Sequence, residues 1–253
     1  MDDLYVRGIA LASLLPKESY LNDLPVVRHL RREAVAFRAP VTFLVGENGA
    51  GKSTLIEALA IALGFNPEGG TRNFHFSTED SHSPLCDHLR VVRSPRRARD
   101  GFFLRAESFY NVATNIDQMD REGGSGVPVI DSYGGVSLHR QSHGESFLAL
   151  VEHRFGGQGL YVLDEPEAAL SPSGLLRLMC SLDRLVRQDS QLIIATHSPM
   201  LMAFPGAEVL EITEAGIRSV PYGETAHFQT MKRFLNAPER MLNYLLEEND
   251  ESD

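Results

Sequence analysis

Short apolar runs alternate along this chain with stretches whose apolar residues recur every three or four positions, a pattern that predicts strands interleaved with helices. Residues 41–45 (VTFLV) are apolar and β-branched, which suits a strand buried on both faces. Residues 55–65 (LIEALAIALGF) follow with helix formers at helical spacing. The pairing recurs downstream. Residues 159–165 (GLYVLDE) read as a buried strand, 173–188 as a helix, and 191–197 (QLIIATH) as a second buried strand. Residues 207–221 predict a β-hairpin turning near Ala215 and Gly216. Residues 237–248 predict a closing amphipathic helix with Pro238 in its first turn. No internal repeat is visible. This order implies an α/β fold with a mainly parallel sheet flanked by helices on both faces.

The remaining segments are less regular. Residues 1–45 read as a β-rich opening, with Val26–Phe37 leading into the strand at Val41. Residues 66–128 are rich in Gly, Pro, Ser, His and Arg, and residues 121–128 (REGGSGVP) read as a loop. One ordered island, residues 101–116, reads as a strand running into a helix. The expectation is a single domain over residues 1–253, with an inserted lobe over about 66–150. Residues 247–253 (EENDESD), five acids without a base, read as a disordered tail.

Between the strand at Val41 and the helix that follows lies GENGAGKST: Gly46, Glu47, Asn48, Gly49, Ala50, Gly51, Lys52, Ser53 and Thr54. It fits the phosphate-binding template G-x-x-x-x-G-K-[S/T]. Strand, glycine loop and helix start together make an anion cradle, because backbone N–H groups converge there and the helix dipole adds positive charge. Lys52 would reach the outer phosphates of a nucleotide, and the Ser53 hydroxyl would ligate Mg²⁺.

The strand at Gly159 ends abruptly in Asp164 and Glu165. Two adjacent carboxylates at a strand end are costly to bury without a cation or a catalytic task. Asp164 is expected to hold Mg²⁺ and Glu165 to orient or deprotonate the attacking water. The next strand ends in Thr196 and His197, and His197 stands where a γ-phosphate sensor would sit. Upstream, QSHGES offers Ser142 and Gly144 at a helix N-terminus, where they could cap an anion.

Composition adds limits. Hydrophobic residues make up 43% and charged residues 23%, as in an ordinary globular protein. With only Cys86 and Cys180, no disulfide framework is indicated. No apolar run is long enough to span a bilayer, and MDDLYVRG lacks a signal-peptide layout, so a cytoplasmic protein is expected. The net charge of −10 argues against a uniformly DNA-coating protein. Six arginines nevertheless crowd residues 90–105: Arg90, Arg93, Arg96, Arg97, Arg99 and Arg105. Two readings stand, an exposed loop balanced by nearby acids and a patch that contacts phosphate or nucleic acid.

Taken in order, GENGAGKST, SHGES, LYVLDEPEAALSP and IIATHSP resemble the motifs of ABC-type ATPases. The resemblance is to the soluble, stand-alone branch, akin to RecF, SMC and overcoming-lysogenisation-defect proteins of the AAA family. It implies ATP and Mg²⁺ as cofactors, ATP hydrolysis, and a head-to-tail homodimer sandwiching the nucleotide. Each ATP would lie between residues 46–54 of one copy and Ser142-His143-Gly144-Glu145 of the other. Residues 168–171 (AALS) match the loop that crosses this interface, His197 the switch histidine and Glu165 the catalytic glutamate. His143 stands where the common signature has glycine. No Q-loop glutamine stands out, with Glu107 and Ser108 as substitutes, and Tyr20 is a candidate for stacking on adenine. The resemblance leaves open a role near nucleic acid in repair or defence, a regulatory switch acting on a separate effector protein, and, as the alternative, the nucleotide-binding subunit of an ABC transporter. Metabolite kinases fit less well, since they do not need SHGES before the acidic strand.

Overall fold

The apolar runs at Val41, Gly159 and Gln191 lie side by side in the computed structural model, which describes residues 4–72, 83–107, 109–122, 131, 135 and 142–250. The chain opens with β1 (Val6–Leu11), α1 (Pro25–Leu30) and β2 (Val35–Ala36), then β3 (Val41–Gly46) and α2 (Lys52–Ala62). It continues through α3 (Leu85–His88), β4 (Leu89–Arg93), β5 (Asp100–Arg105), α4 (Phe109–Glu122) and α5 (His143–Ala149). Then come β6 (Gly159–Asp164), α6 (Pro172–Arg187), β7 (Gln191–Ala195) and α7 (Pro199–Met202). The hairpin β8 (Glu208–Thr213) and β9 (Gly216–Ser219) precedes α8 (Ala226–Asn236) and α9 (Pro238–Asp250).

Six strands form the main sheet in the order β5-β6-β7-β3-β8-β9, parallel except for the antiparallel β8–β9 hairpin. A smaller antiparallel sheet, β2-β1-β4, covers one side. Side chains alternate between two cores. Leu44, Val162 and Ile193 face the core shared with the small sheet, which also contains Ile9, Leu55 and Leu59. Phe43, Tyr161 and Leu192 face a second core closed by Phe109, Phe147, Leu178 and Leu201 from the helices. Because α2 is sandwiched between the two sheets, Leu55, Ile56, Ala58, Leu59 and Ala60 are all buried, which explains its nearly continuous apolar sequence. Gln191 ties the sheets together. Its Oε1 accepts from the Tyr5 and Val6 amides at 2.9 Å, and its Nε2 donates to the Val6 carbonyl at 2.8 Å.

The β-rich opening also holds a helix, because Pro25 starts a turn that buries Val26, Val27 and Leu30. Within residues 66–150 the described strands part: β4 joins the small sheet, whereas β5 pairs with β6 at the edge of the main one. The fully apolar centre of β5, Phe102–Leu104, is what draws it into the main sheet. Finally, α9 runs on to Asp250, so the acidic stretch begins as helix, with no breaker between Pro238 and that residue. Residues 251–253, residues 123–128 of the expected loop, Ser108 and Gln141 lie outside the described residues.

Candidate active site

The loop after β3 is shaped by its glycines. Gly46 has φ 152° and Gly51 has φ 91°. A Cβ at Gly46 would stand 2.5 Å from the Ile212 carbonyl oxygen, and one at Gly51 would stand 2.5 Å from Val26 Cγ1. Only glycine fits such close approach at positive φ. The loop therefore turns directly into α2, whose first N–H groups have no intrahelical acceptor and suit an anion. Lys52 folds across the loop and donates to the Gly46 carbonyl at 2.8 Å and the Glu47 carbonyl at 2.9 Å. Burial pushes its pKa down, while the carboxylates of Glu165, Asp164 and Glu167 pull it back up.

Asp164, at the end of β6, is 6% exposed. Its Oδ1 accepts from Ser53 Oγ at 3.2 Å, and Arg105 Nε lies 3.7 Å from its Oδ2. Burial raises this carboxyl to about 6, against the pull of Arg105 and of the Ser53 hydroxyl. Arg105 is itself held by Glu57 at 3.0 Å and lies 3.6 Å from the exposed Glu107. Among the described residues no cluster of three or more His, Cys, Asp or Glu is placed to hold a metal alone. Two hard oxygen donors at the mouth of a phosphate loop nonetheless fit Mg²⁺, which takes one or two protein oxygens and fills its shell with water and phosphate.

Glu165 sits in the left-handed region at φ 49°, ψ 52°, a strain of about 1 kcal/mol or more for a non-glycine residue. Its amide bonds to the Ala195 carbonyl at 3.0 Å. The turn presents the carboxylate to a cleft of ≈ 320 Å³ lined also by Asn48, Gly49, Lys52, Ser53 and Thr54. His197 Nε2 stands 3.4 Å from Glu165 Oε1. Burial, then the Lys52 charge, lowers the His197 pKa, with Glu165 opposing both. Glu167 fixes this strand end: its Oε1 accepts from Thr196 Oγ1 at 2.8 Å and from the His197 amide. Burial raises the pKa of Glu167.

Ser142 caps α5. Its Oγ accepts from the Glu145 amide at 3.4 Å, and Glu145 Oε2 accepts in turn from the Ser142 hydroxyl at 2.6 Å and the Ser142 amide at 3.1 Å. This is a capping box. Ser142 is exposed and Gly144 half-buried, and neither is among the residues lining the Lys52 cleft of its own copy. A Cβ at Gly144 would meet the Ala169 carbonyl at 2.8 Å, so the start of α5 rests directly on the AALS turn.

One chain thus brings together Lys52, Ser53, Asp164, Glu165 and His197 and leaves Ser142 and Gly144 apart from them, Ser142 exposed and Gly144 packed on the AALS turn. Tyr20 is exposed and is not among the residues lining the clefts beside the loop. Sequence reasoning missed Arg105 as a neighbour of Asp164, Glu167 as the clamp on His197, and His227 of α8, whose Nε2 is 3.2 Å from His197 Nδ1. Each contact joins residues far apart in the chain, with no local pattern to reveal it. The hints for α8 were Phe228, Met231 and Leu235 at helical spacing and Thr225 as a helix cap, its Oγ1 accepting from the Phe228 amide.

The arginine cluster splits. Arg105 belongs to the Asp164 site, whereas Arg93, Arg96 and Arg97 meet Arg72 in a cleft of ≈ 450 Å³ near the start of β6 and the end of α2, away from Lys52. Arg93 donates to the Ala62 carbonyl at 2.8 Å, and Arg96 lies 3.3 Å from Asp189. No helix among the described residues is long and apolar enough to cross a membrane.

Comparison with known proteins agrees with this geometry. Residues 27–99 match the family described as "AAA domain", and residues 131–203 match "AAA domain, putative AbiEii toxin, Type IV TA system". An uncharacterized ABC transporter ATP-binding protein of Haemophilus influenzae is 26% identical over 80% of this chain and 81% of its own length. The cytochrome c biogenesis ATP-binding export protein CcmA of Rhizobium johnstonii is 30% identical over 62% of this chain and 75% of its own. Among solved structures, one described as an inward-facing ABC transporter of the metal-chelate type aligns over 91% of this chain and 88% of that one. Its TM-score is 0.50 at 13% identity, a likeness of fold. The phosphate loop, the acidic strand end and these relatives lead to one assignment: the chain belongs to the ABC-type ATPases, P-loop proteins that bind and hydrolyse ATP.

Proposed function

We propose that this ATPase works as an ATP-dependent homodimer, with each triphosphate held by residues 46–54 of one copy and by Ser142 and Gly144 of a second. The observation that carries this reading is the outward placement of the capped α5 start, exposed at Ser142 and separate from the Lys52 cleft of the same chain. An exposed helix start keeps its uncapped N–H groups free to meet a phosphate carried by a second copy.

In this reading Lys52 exchanges its two carbonyl partners for phosphate oxygens. Ser53 and Asp164 would hold Mg²⁺, which supplies charge neutralisation at the β- and γ-phosphates. Glu165 accepts a hydrogen bond from the attacking water and takes its proton as the water oxygen bonds to the γ-phosphorus and the bond to ADP breaks. His197 offers its Nε2–H beside that carboxylate. Phosphate release removes the shared ligand, so the dimer parts with hydrolysis. Glu165→Gln is expected to bind ATP like the wild type and to lose nearly all phosphate release. A variant turning over at the wild-type rate would remove Glu165 from the chemistry.

The chemistry of the arginine cleft supports a role near nucleic acid. Guanidinium groups from two segments converge there in a chain of net charge −10, and phosphodiesters are the polyanions that arginine forks fit. Fluorescence anisotropy with labelled DNA at stepped salt tests it. Arg93→Glu with Arg97→Glu should weaken binding to all sequences alike and flatten its salt dependence. Absence of DNA binding by the wild type at low salt would count against this role. A second reading, the ATP-binding subunit of a transporter, is favoured by the names of the relatives. Co-purification with a polytopic membrane protein would support it.

A further inference from the structure

Behind His197 stands a second histidine. His227, in the first turn of α8, places Nε2 3.2 Å from His197 Nδ1, with the rings tilted at 60° and 5.3 Å between centroids. On its other side His197 presents Nε2 to Glu165 Oε1 at 3.4 Å. Glu165, His197 and His227 therefore form a line drawn from three elements: the turn after β6, the end of β7 and the start of α8.

Proton positions follow from what each group can do. A carboxylate only accepts, so the His197 proton belongs on Nε2. A neutral ring protonated there has a bare Nδ1, and His227 must then donate from its own Nε2. His227 is left with a bare Nδ1. That atom is buried without a hydrogen-bond partner among the described residues, where an N–H would be an orphaned donor. Burial lowers the pKa of both rings, followed at His197 by the Lys52 charge and at His227 by His197 and then Lys52, which favours the neutral forms. Glu165 opposes this at His197, as do Glu211 and Glu47 at His227. The first turn of α8 is itself fixed, since Glu211 Oε1 accepts from the Ala226 amide at 3.0 Å.

We propose that His227 is a positioning residue for ATP hydrolysis: its Nε2–H holds His197 in the tautomer and orientation that keep an N–H directed at Glu165 and the Lys52 cleft. The opposite tautomer would set a lone pair against the carboxylate. Because His227 belongs to α8 and not to the sheet, the line also makes the hydrolytic site depend on where the α8–α9 hairpin sits. The inference rests on the roles proposed above for Glu165 and His197.

Steady-state phosphate release, ATP titration calorimetry and nitrogen NMR of histidine-labelled protein test it together. His227→Phe keeps a ring of similar size but has no donor. It should lower kcat about tenfold, the worth of one buried hydrogen bond, with ATP affinity and KM little changed. His227→Gln, whose amide can still donate, should recover most of the rate. In the wild type His197 should show its proton on Nε2 and an Nδ1 shift typical of a hydrogen-bonded acceptor, and in His227→Phe that Nδ1 shift should be lost. Wild-type kcat in His227→Phe, or a His197 proton on Nδ1, would overturn the proposal. Should His227→Phe melt too low to assay, the glutamine variant and the wild-type spectrum still decide. An inactive Glu165→Gln beside an unaffected His227→Phe removes this inference alone, whereas an active Glu165→Gln removes the roles on which it rests.

Discussion

Asp164 is a carboxylate kept where its charge is costly. Holding its carboxyl at about 6 instead of the ordinary 3.8 costs the folded protein about 3 kcal/mol at pH 7.5. The sign follows from proton binding. Between those two values the folded state binds more protons than the unfolded one, so this group makes stability fall as pH rises from about 4 to about 6. Asp164→Asn removes the buried charge. Without nucleotide or divalent cation at pH 7.5 its melting temperature should exceed that of the wild type by about 5 °C or more, with turnover abolished. The gain should shrink as pH falls below 6. An unchanged melting temperature at pH 7.5 would contradict a carboxyl raised to about 6 by burial. The residues legible beforehand were those in one contiguous stretch, such as Gly46–Thr54, where spacing alone imposes the geometry. Arg105 was read as part of a surface cluster, because nothing near it in sequence says that β5 will lie beside β6 and place it at Asp164.

Helices and strands were legible where a single environment acts on the whole segment. The strands β3, β6 and β7 are apolar along their centres because both faces are covered, and α2 is largely apolar from Leu55 on because two sheets enclose it. α1 did not stand out because six residues are too few for a period to emerge, and α8 was missed although Phe228, Met231 and Leu235 stand at helical spacing. The contact between α5 and the AALS turn carries its own test. At Gly144 an alanine methyl would have to displace backbone, since its nearest neighbour is the Ala169 carbonyl at 2.8 Å. Gly144→Ala should cost about 1–3 kcal/mol in urea unfolding and lower turnover, because the α5 start must tilt. Ser142→Ala should cost about 1 kcal/mol through the lost cap. Glu145→Gln preserves the capping geometry but removes a negative charge from the place proposed for phosphate, and should tighten ATP-dependent association measured by sedimentation. Weaker association in that variant would argue that Glu145 does not compete with the nucleotide.

At the scale of the whole molecule, the parallel sheet collects the C-terminal ends of β3, β6 and β7 at one edge, and with them Lys52, Asp164, Glu165 and His197. The arginine cleft lies near the opposite ends of the strands, so any message between the two must travel through α2 or the sheet. The assembly was readable only through the family resemblance, since no single chain contains both halves of the proposed nucleotide clamp. The most direct measurement is sedimentation velocity of Glu165→Gln with Mg-ATP, alone and combined with Ser142→Arg. The account predicts a dimer for the first and a monomer that still binds ATP for the second. A Glu165→Gln protein that stays monomeric at tens of micromolar, or a dimer indifferent to Ser142→Arg, would contradict it.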